Sequence, residues 1–332
     1  MIRTRIPDDI LSAAHERAAA RATRDWPEAD RLRELIEAAG WRIVDRGTDF
    51  ALSPIAPPDL ADGDRVRHGS SASVPSRLDE VPTAEATVVL LATDQPADLE
   101  RAIRGLLDHG PGGTEIVVVA DDPSPVQVSA LEADAVAASS AAPLSAAPRL
   151  PIEVSWTSAR LGHATATNIG LRRAGGRVVI LLDTSLEPKG DFITPLVRAL
   201  DDPTVAVTGG WGIVSADLRR FDDAPAGDVD AIEGYCQAFR RSDFAARGPL
   251  DERFRFYRNL DIWWSLALRD EGEGAPPRRA LRIENLPLVR HEHRGYASLP
   301  DHERDRQSKR NFYRIIDRFG ARTDLLVHPP TR

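Results

Sequence analysis

The stretch Val178-Val179-Ile180-Leu181-Leu182-Asp183-Thr184-Ser185 decides the fold class. Its first five residues are all apolar and mostly β-branched, which is typical of a strand buried on both faces of a sheet. The apolar run ends at Asp183, where polar side chains begin. Because helices must cover both faces of such a strand, the stretch predicts an α/β protein with a mostly parallel sheet.

Three stretches of the same character precede this strand. Thr87–Ala92, Glu115–Ala120 and Ile152–Trp156 each predict a buried strand. Residues 99–107 and 164–173 have helical patterns and lie between the predicted strands. This alternation predicts a sheet covered by helices on both faces, with its ligands bound beyond the carboxyl ends of the strands.

Acidic residues follow three of the predicted strands. Any one of them could be an ordinary turn residue, because aspartate is favoured after strands. Together at one sheet edge they predict a polar crevice that holds a nucleotide. Hard oxygen ligands at such an edge suit Mg²⁺ or Mn²⁺ bound to a diphosphate. The residues at these strand ends are Thr93, Asp94, Asp121, Asp122, Asp183 and Ser185.

The chain is predicted to carry a small module ahead of this sheet. Residues 1–53 predict two helices and a hairpin. Residues 54–85 contain five prolines and almost no large apolar side chains, which predicts a flexible linker. The sheet domain is expected at 86–327, with the Ala/Ser/Pro-rich segment 123–151 as a mobile loop inserted into it.

Composition excludes several classes of protein. The chain has 332 residues, 42% of them hydrophobic, and a net charge of −8, which argues against a nucleic-acid binder. A single cysteine, Cys236, excludes an intrachain disulfide and fits a reducing compartment. No apolar run is long enough to span a bilayer, and no signal-peptide pattern is present. We therefore expect a cytoplasmic protein that is at most peripheral to a membrane.

Six landmarks in order make residues 86–326 resemble the family 2 glycosyltransferases of the GT-A fold. Each is a short motif, and the resemblance depends on their order along the chain. They are the helix Gly162–Leu171 with its Gly-x5-Asn-x-Gly pattern, Asp183-Thr184-Ser185 at the Asp-x-Asp position, the acceptor-side segment 234–254, the base-bearing segment 259–266, the histidine segment 291–295 and the Arg-Asn segment 309–313.

The resemblance implies a sugar transfer, with inversion, from a nucleoside-diphosphate sugar to an unknown glycan, lipid or small-molecule acceptor. It implies that Asp261 is the general base that deprotonates the acceptor hydroxyl. It implies a divalent metal cofactor, Mn²⁺ or Mg²⁺, held by Asp183 and by one of His291 and His293. Asn168 and Arg310 would join the strand-end residues in donor binding, and the acceptor side would comprise Gly234, Arg240, Arg241 and Trp263.

Two departures from the family pattern keep another interpretation open. Ser185 replaces the last acid of the Asp-x-Asp motif, and Leu260 replaces the first acid of the base-bearing pair. Both would suit a catalytically silent GT-A protein that binds nucleotide sugars or other proteins. A sugar nucleotidyltransferase is a third interpretation, but Leu91–Gln95 lacks the glycine-rich phosphate loop that it predicts.

Residues 8–45 resemble a different family, the C-terminal end of cysteinyl-tRNA synthetases. Arg17–Arg21, Asp25-Trp26, Ala29–Arg33 and Gly40-Trp41 carry this resemblance. None of the synthetase catalytic motifs accompanies it. Residues 1–53 hold nine arginines against ten acidic residues, whereas a surface that binds RNA phosphates should be basic. The module is therefore expected to bind a protein partner or to self-associate.

Overall fold

The computed structural model describes residues 6–47, 49–92, 94–140, 150–272, 274–293 and 299–329. The chain divides between Pro57 and Pro58 into two compact units. The first contains α1 (Asp8–Ala22), α2 (Trp26–Ala38), and the antiparallel pair β1 (Trp41–Arg46) and β2 (Asp49–Pro54). These two helices and this hairpin lie where the sequence predicts them.

The first unit has its own small core. Apolar residues at helical spacing on α1 and α2 pack against the buried side chains of β1, because no single helix can bury its apolar stripe alone. Asp25 caps α2 by accepting a hydrogen bond from the Glu28 amide at 3.3 Å. The buried apolar residues are Ile10, Ala13, Ala14, Leu32, Ile36, Trp41 and Ile43.

The second unit carries the remaining elements. Its strands are β3 (Leu60–Asp62), β4 (Arg65–His68), β5 (Ala84–Ala92), β6 (Thr114–Ala120), β7 (Ile152–Thr157), β8 (Gly176–Leu182), β9 (Leu186–Pro188), β10 (Val205–Gly209), β11 (Gly212–Ser215), β12 (Phe221–Asp223), β13 (Gly227–Val229), β14 (Ala231–Ile232), β15 (Cys236–Arg240), β16 (Arg279–Arg282) and β17 (Leu288–Arg290). Its helices are α3 (Pro96–His109), α4 (Pro125–Ser140), α5 (His163–Arg173), α6 (Ile193–Ala199), α7 (Arg241–Arg247), α8 (Leu260–Arg269) and α9 (Asp301–Phe319).

One ten-stranded sheet organises this unit, in the order β13-β16-β10-β15-β8-β5-β6-β7-β4-β3. Strands β4, β7, β6, β5 and β8 run parallel to one another. Strand β15 returns antiparallel to β8, with Cys236 opposite Leu182 and Arg240 opposite Val178. The mostly parallel sheet predicted from the sequence is confirmed. Because β15 runs antiparallel to β8, the start of β15, at Cys236, lies near Asp183.

The sheet has a separate apolar layer on each face. On β5, Val88 and Leu90 face one layer and Val89 faces the other, as the alternation of side chains along a strand requires. Helix α5 packs so closely that a Cβ atom on Gly170 would lie 2.4 Å from Val89 Cγ1. The last glycine of the Gly-x5-Asn-x-Gly pattern therefore lets α5 approach the sheet.

The predicted flexible linker at 54–85 is corrected by the structure. Strand β4 adds to the sheet beside β7, and Val74 is buried in the core. The Arg77 amide donates to the Arg172 carbonyl at 2.8 Å. Although the segment has few apolar residues, it orders by hydrogen bonding to the sheet domain. The compact second unit therefore begins at Pro58.

The predicted loop at 123–151 is also corrected in part. Residues 125–140 form α4, whose alanine-rich composition favours a helix. Ser124 starts it by accepting hydrogen bonds from the Gln127 and Val128 amides. Leu131 is buried and anchors the helix in the core. Residues 141–149 lie outside the described residues.

Candidate active site

The carboxyl end of β8 positions Asp183. Its Oδ2 lies 3.1 Å from His293 Nε2, and its Oδ1 accepts the Ser185 amide at 2.8 Å. Burial would raise the pKa of Asp183, but the hydrogen bond and charge of His293 hold it below its usual value. The reciprocal interaction raises the pKa of His293 despite burial. The predicted strand end and histidine segment are thus brought together.

Of the two predicted histidine ligands, only His293 lies beside Asp183. His291 Nε2 instead lies 2.9 Å from Glu187 Oε2, although the pairing of β17 with β9 places the His291 backbone beside Ser185, whose carbonyl accepts the His291 amide at 2.8 Å. The sequence left the choice between the two histidines open, and the geometry favours His293. Ser185 Oγ is buried and has no hydrogen-bond partner among the described residues. Within these residues no group of three metal-binding side chains exists.

Asp261 lies in the first turn of α8. Its Oδ2 accepts the Gly234 amide at 2.7 Å, and its Oδ1 accepts the Ile262 amide at 3.0 Å. Burial raises the pKa of Asp261, while these backbone donors partly stabilise the charged form. The buried Leu260 side chain, at the position of the missing first acid, anchors the start of the helix in the core.

Two adjacent residues connect the two carboxylates. The Asp183 amide donates to the Tyr235 carbonyl at 2.9 Å, and the neighbouring Gly234 amide donates to Asp261. Consecutive Cα atoms are about 3.8 Å apart, so Asp183 and Asp261 flank one short piece of backbone. A Cβ on Gly234 would lie 3.4 Å from Asp261 Oδ2, which explains why a small residue fits there.

A third carboxyl group, Glu233, completes this arrangement and was missed from the sequence. Burial, and then the charge of Asp261, raise its pKa to about 7. Beside it, Tyr235 packs at 5.7 Å from Trp211 and at 4.9 Å from the Arg290 guanidinium carbon. Glu233 immediately precedes the acceptor-side landmark, and its acidic side chain next to Gly234 was the only indication in the sequence.

Two of the other acidic residues at strand ends, Asp121 and Asp94, bind the loop that precedes α5. Asp121 accepts the Leu161 and Gly162 amides at 2.7 and 3.0 Å. Asp94 binds the Ser124 amide and lies 2.9 Å from Arg160. Asp122 is exposed, and its amide donates to Thr157. All three lie at the predicted edge of the sheet, whereas Thr93 lies outside the described residues.

Three predicted site residues are instead buried structural groups, which corrects their assignments. Asn168 bonds the Leu250 backbone in both directions, with its amide nitrogen also 3.1 Å from Glu252. Arg241 is buried and donates to the carbonyls of Arg77 and Ala174. Both side chains are buried and hydrogen-bonded to distant parts of the chain. Trp263 is buried among Phe254, Trp264 and Phe319.

Arg240 is corrected for a topological reason. It ends β15 opposite Val178, at the start of β8, so it lies at the sheet edge opposite Asp183. Five strand residues separate those edges by roughly 15 Å. The Arg240 guanidinium donates to the carbonyls of Leu200 and Val205 near α6. Cys236, at the other end of β15, is fully buried, and burial raises the pKa of its thiol to about 12.

Comparisons with known proteins agree with this architecture. Residues 87–245, just under half of the chain, match the family model Glycosyl transferase family 2. The mannosyltransferase PcManGT from Pyrobaculum calidifontis, in complex with GDP-Man and Mn²⁺, aligns with a TM-score of 0.52 and 21% identity, over 75% of this chain and 69% of that one. The second unit has the GT-A fold. We call residues 58–329 the GT-A unit.

GalNAc-T7, solved with UDP, GalNAc and Mn²⁺, has the same fold as the GT-A unit. It aligns with a TM-score of 0.57 and 16% identity, and covers 70% of this chain. This chain spans about half of the GalNAc-T7 chain, 48%. At these identities the likeness concerns the fold, while the family match supports a glycosyltransferase.

The cysteinyl-tRNA synthetase resemblance finds support in short matches only. Cysteine--tRNA ligase 1 of Burkholderia lata is 48% identical over 40 residues, and the ligase of Opitutus terrae is 39% identical over 49 residues. These matches span 8% and 11% of the ligases. Among the described helices of the chain, none combines the length and apolar character needed to cross a membrane.

Proposed function

We propose that the GT-A unit transfers a sugar from a nucleoside-diphosphate sugar to a hydroxyl acceptor, with inversion at the anomeric carbon. The observation that carries this proposal is the pair Asp183 and Asp261, which flank the backbone of residues 234–235. Asp183 is suited to hold the donor through a cation, and Asp261 is suited to take the proton of the attacking hydroxyl. Residues 87–245, which match the glycosyltransferase model, contain Asp183 and that backbone.

Asp261 is assigned the role of general base. Two backbone amides fix the direction of its carboxylate, and positioning of this kind is what proton transfer requires. As the acceptor oxygen attacks the anomeric carbon, its proton passes to Asp261, and the bond from that carbon to the diphosphate breaks. Tyr235, which follows Gly234, and Trp211, which packs against Tyr235, offer aromatic surface for a sugar ring.

Asp183 and His293 are assigned to a divalent cation. Their side chains already lie together at 3.1 Å, and the buried Ser185 side chain is adjacent to Asp183. Carboxylate and imidazole groups suit Mn²⁺, and phosphate oxygens of the donor would supply further ligands. PcManGT and GalNAc-T7 were both solved with Mn²⁺. Such a cation, when bound, would neutralise charge on the departing diphosphate.

Release of nucleoside diphosphate from a panel of UDP-, GDP- and dTDP-sugars, with Mn²⁺ present, tests the proposal. We expect turnover with at least one donor, including slow hydrolysis when water is the acceptor. The double variant Asp183→Asn, Asp261→Asn is the matched control for contaminating activity. A donor that binds without being consumed would support the catalytically silent alternative.

Glu233 makes the stability of the GT-A unit depend on pH. Its pKa is raised from 4.5 to about 7, so the folded chain holds a proton that the unfolded chain releases. The resulting stability is fully present below pH 4.5 and is lost as pH rises through 7. The full displacement would correspond to about 3 kcal/mol. Because Glu233 is half-buried, screening by solvent reduces the expected loss to about 1–2 kcal/mol.

Glu233→Gln tests this pH dependence, because glutamine is neutral throughout. The melting temperature of the wild-type chain should fall between pH 5 and pH 8 relative to that of the variant. Glu284→Gln, which changes an exposed carboxylate, is the control and should follow the wild type. Parallel curves for wild type and Glu233→Gln would show that this carboxyl group titrates normally.

A further inference from the structure

Helix α9 presents a row of arginines that the sugar-transfer mechanism does not use. Arg306, Arg310 and Arg314 follow one another at intervals of four residues, so they share one face of the helix. Like charges at this spacing destabilise a helix. The neighbouring face, about 100° around the helix, carries Asn311, Ile315 and Phe319 and is buried in the core. The arginine row stands out in a chain of net charge −8, and Arg306 at its start is exposed.

These arginines line an open groove of about 470 Å³, which we call the α9 groove. Its volume is within the range of small-molecule sites. Five of its seven lining residues are cationic, one is neutral and one, Asp317, is acidic. The lining residues are Arg253, Arg306, Lys309, Arg310, Tyr313, Arg314 and Asp317.

The positive charge of the α9 groove is only partly neutralised. Arg253 pairs with Asp251 and Arg306 pairs with Glu303. Among the residues that the structure describes, neither Lys309 nor Arg314 forms an ion pair. Arg314 Nε is buried without a hydrogen-bond partner, and its guanidinium carbon lies 5.4 Å from the centre of the Phe254 ring. Burial lowers the pKa of Arg314, and the nearby charges of Arg253 and Arg310 lower it further.

Hydrogen bonds connect this groove to the segment that leads to Asp261. Asn311 donates to the carbonyls of Phe256 and Arg258, both at 2.8 Å, and Asn259 donates to the Ser308 carbonyl at 3.0 Å. Arg253, at the other end of the same segment, lines the groove. A ligand in the groove therefore lies beside Arg253, at the start of the segment that leads to α8 and its proposed base.

We propose that the α9 groove binds a phosphate group of the acceptor, so that the acceptor is a phosphorylated hydroxyl compound. Guanidinium groups recognise phosphate with paired, charge-assisted hydrogen bonds, and Lys309 and the Tyr313 hydroxyl add donors to the same wall. The donor diphosphate already has a site at Asp183 and His293. This inference depends on the proposed sugar transfer and specifies its acceptor. Arg310, which the sequence assigned to donor binding, is here assigned to acceptor binding.

Calorimetric titration of the full chain with inorganic pyrophosphate tests the inference. The titration is done in EDTA and without the donor, because Mn²⁺ would itself bind pyrophosphate, and it is then repeated with the donor added. We expect pyrophosphate to bind the wild type under these conditions. Arg306→Gln with Lys309→Gln removes two exposed cations of the groove and should weaken binding at least about tenfold, the effect of losing one charged hydrogen bond. Arg219→Gln with Arg220→Gln removes the same charge from an exposed site outside the groove and should leave binding unchanged.

Several outcomes would overturn the inference. Displacement of pyrophosphate by the donor would assign the groove to the donor diphosphate. Equal losses of pyrophosphate affinity in the two double variants would show that net charge, and not the groove, determines binding. Binding to phosphatidylglycerol vesicles without binding to pyrophosphate would make the groove a membrane contact. The titration requires no turnover, so the two proposals can fail separately. If pyrophosphate does not bind but nucleoside diphosphate is released, only the inference about the α9 groove fails. If pyrophosphate binds but no nucleoside diphosphate is released, only the sugar-transfer proposal fails.

Discussion

Replacing Asp261 by asparagine is expected to lower sugar transfer by about 100-fold or more, the effect typical of removing a general base. The amide cannot take the proton of the acceptor hydroxyl. The two backbone donors would still find one acceptor oxygen, so the loss of a hydrogen bond should cost only about 1 kcal/mol. Removal of a buried charge offsets part of that cost. The measurement is steady-state release of nucleoside diphosphate at saturating donor.

The matched control for this prediction is Asp270→Asn, at the other end of α8. Asp270 forms an ion pair with Arg322 at 2.8 Å, so its loss tests any general effect of charge removal on the helix. Transfer by this variant should remain within a few-fold of wild type. Asp261→Asn should also bind the donor normally. Near-wild-type transfer by Asp261→Asn would remove the assigned base from the mechanism.

Asp183→Asn is expected to weaken donor binding in Mn²⁺ by about 10- to 100-fold, as the loss of one strong charged interaction with the ligand would predict. The carboxylate is the firmest proposed ligand, and its loss also removes the hydrogen-bonded partner of His293. Titration of a nucleoside-diphosphate sugar with and without EDTA measures the effect. In EDTA the variant and the wild type should bind the donor with similarly low affinity.

The two histidines provide an internal comparison for the same site. His293→Gln should reproduce much of the loss seen with Asp183→Asn, whereas His291→Gln should not, because His291 is directed at Glu187. Wild-type donor affinity that is insensitive to EDTA would contradict a metal at Asp183. In that case cationic side chains would have to neutralise the diphosphate.

The central strands and Asp183 were predictable because their information is local. An apolar run that ends at an aspartate specifies both the strand and the edge where its next residue lies. Asn168, Arg240 and Arg241 were misassigned because their partners are distant in sequence: Asn168 reaches Leu250, 82 residues away. A motif match identifies a residue, but it does not show whether buried backbone groups already occupy its hydrogen bonds.

Glu233 and the segment 58–85 were missed for related reasons. Glu233 acquires its raised pKa from burial and from the charge of Asp261. The two residues are close because α8 packs against β14 and Asp261 binds the Gly234 amide. Residues 58–85 have the composition of a linker, yet Arg241 donates to the carbonyl of Arg77 and Val74 enters the core. Composition predicts whether a segment can fold alone, but this segment is ordered by its contacts with the sheet domain.

The configuration of the transferred sugar tests the central claim most directly. A donor found by nucleoside diphosphate release would be incubated with the wild-type chain, and the anomeric signal of the first product would be read by proton NMR before mutarotation. A single displacement with Asp261 as base predicts that the product has the anomeric configuration opposite to that of the donor. A product that retains the donor configuration would contradict the account.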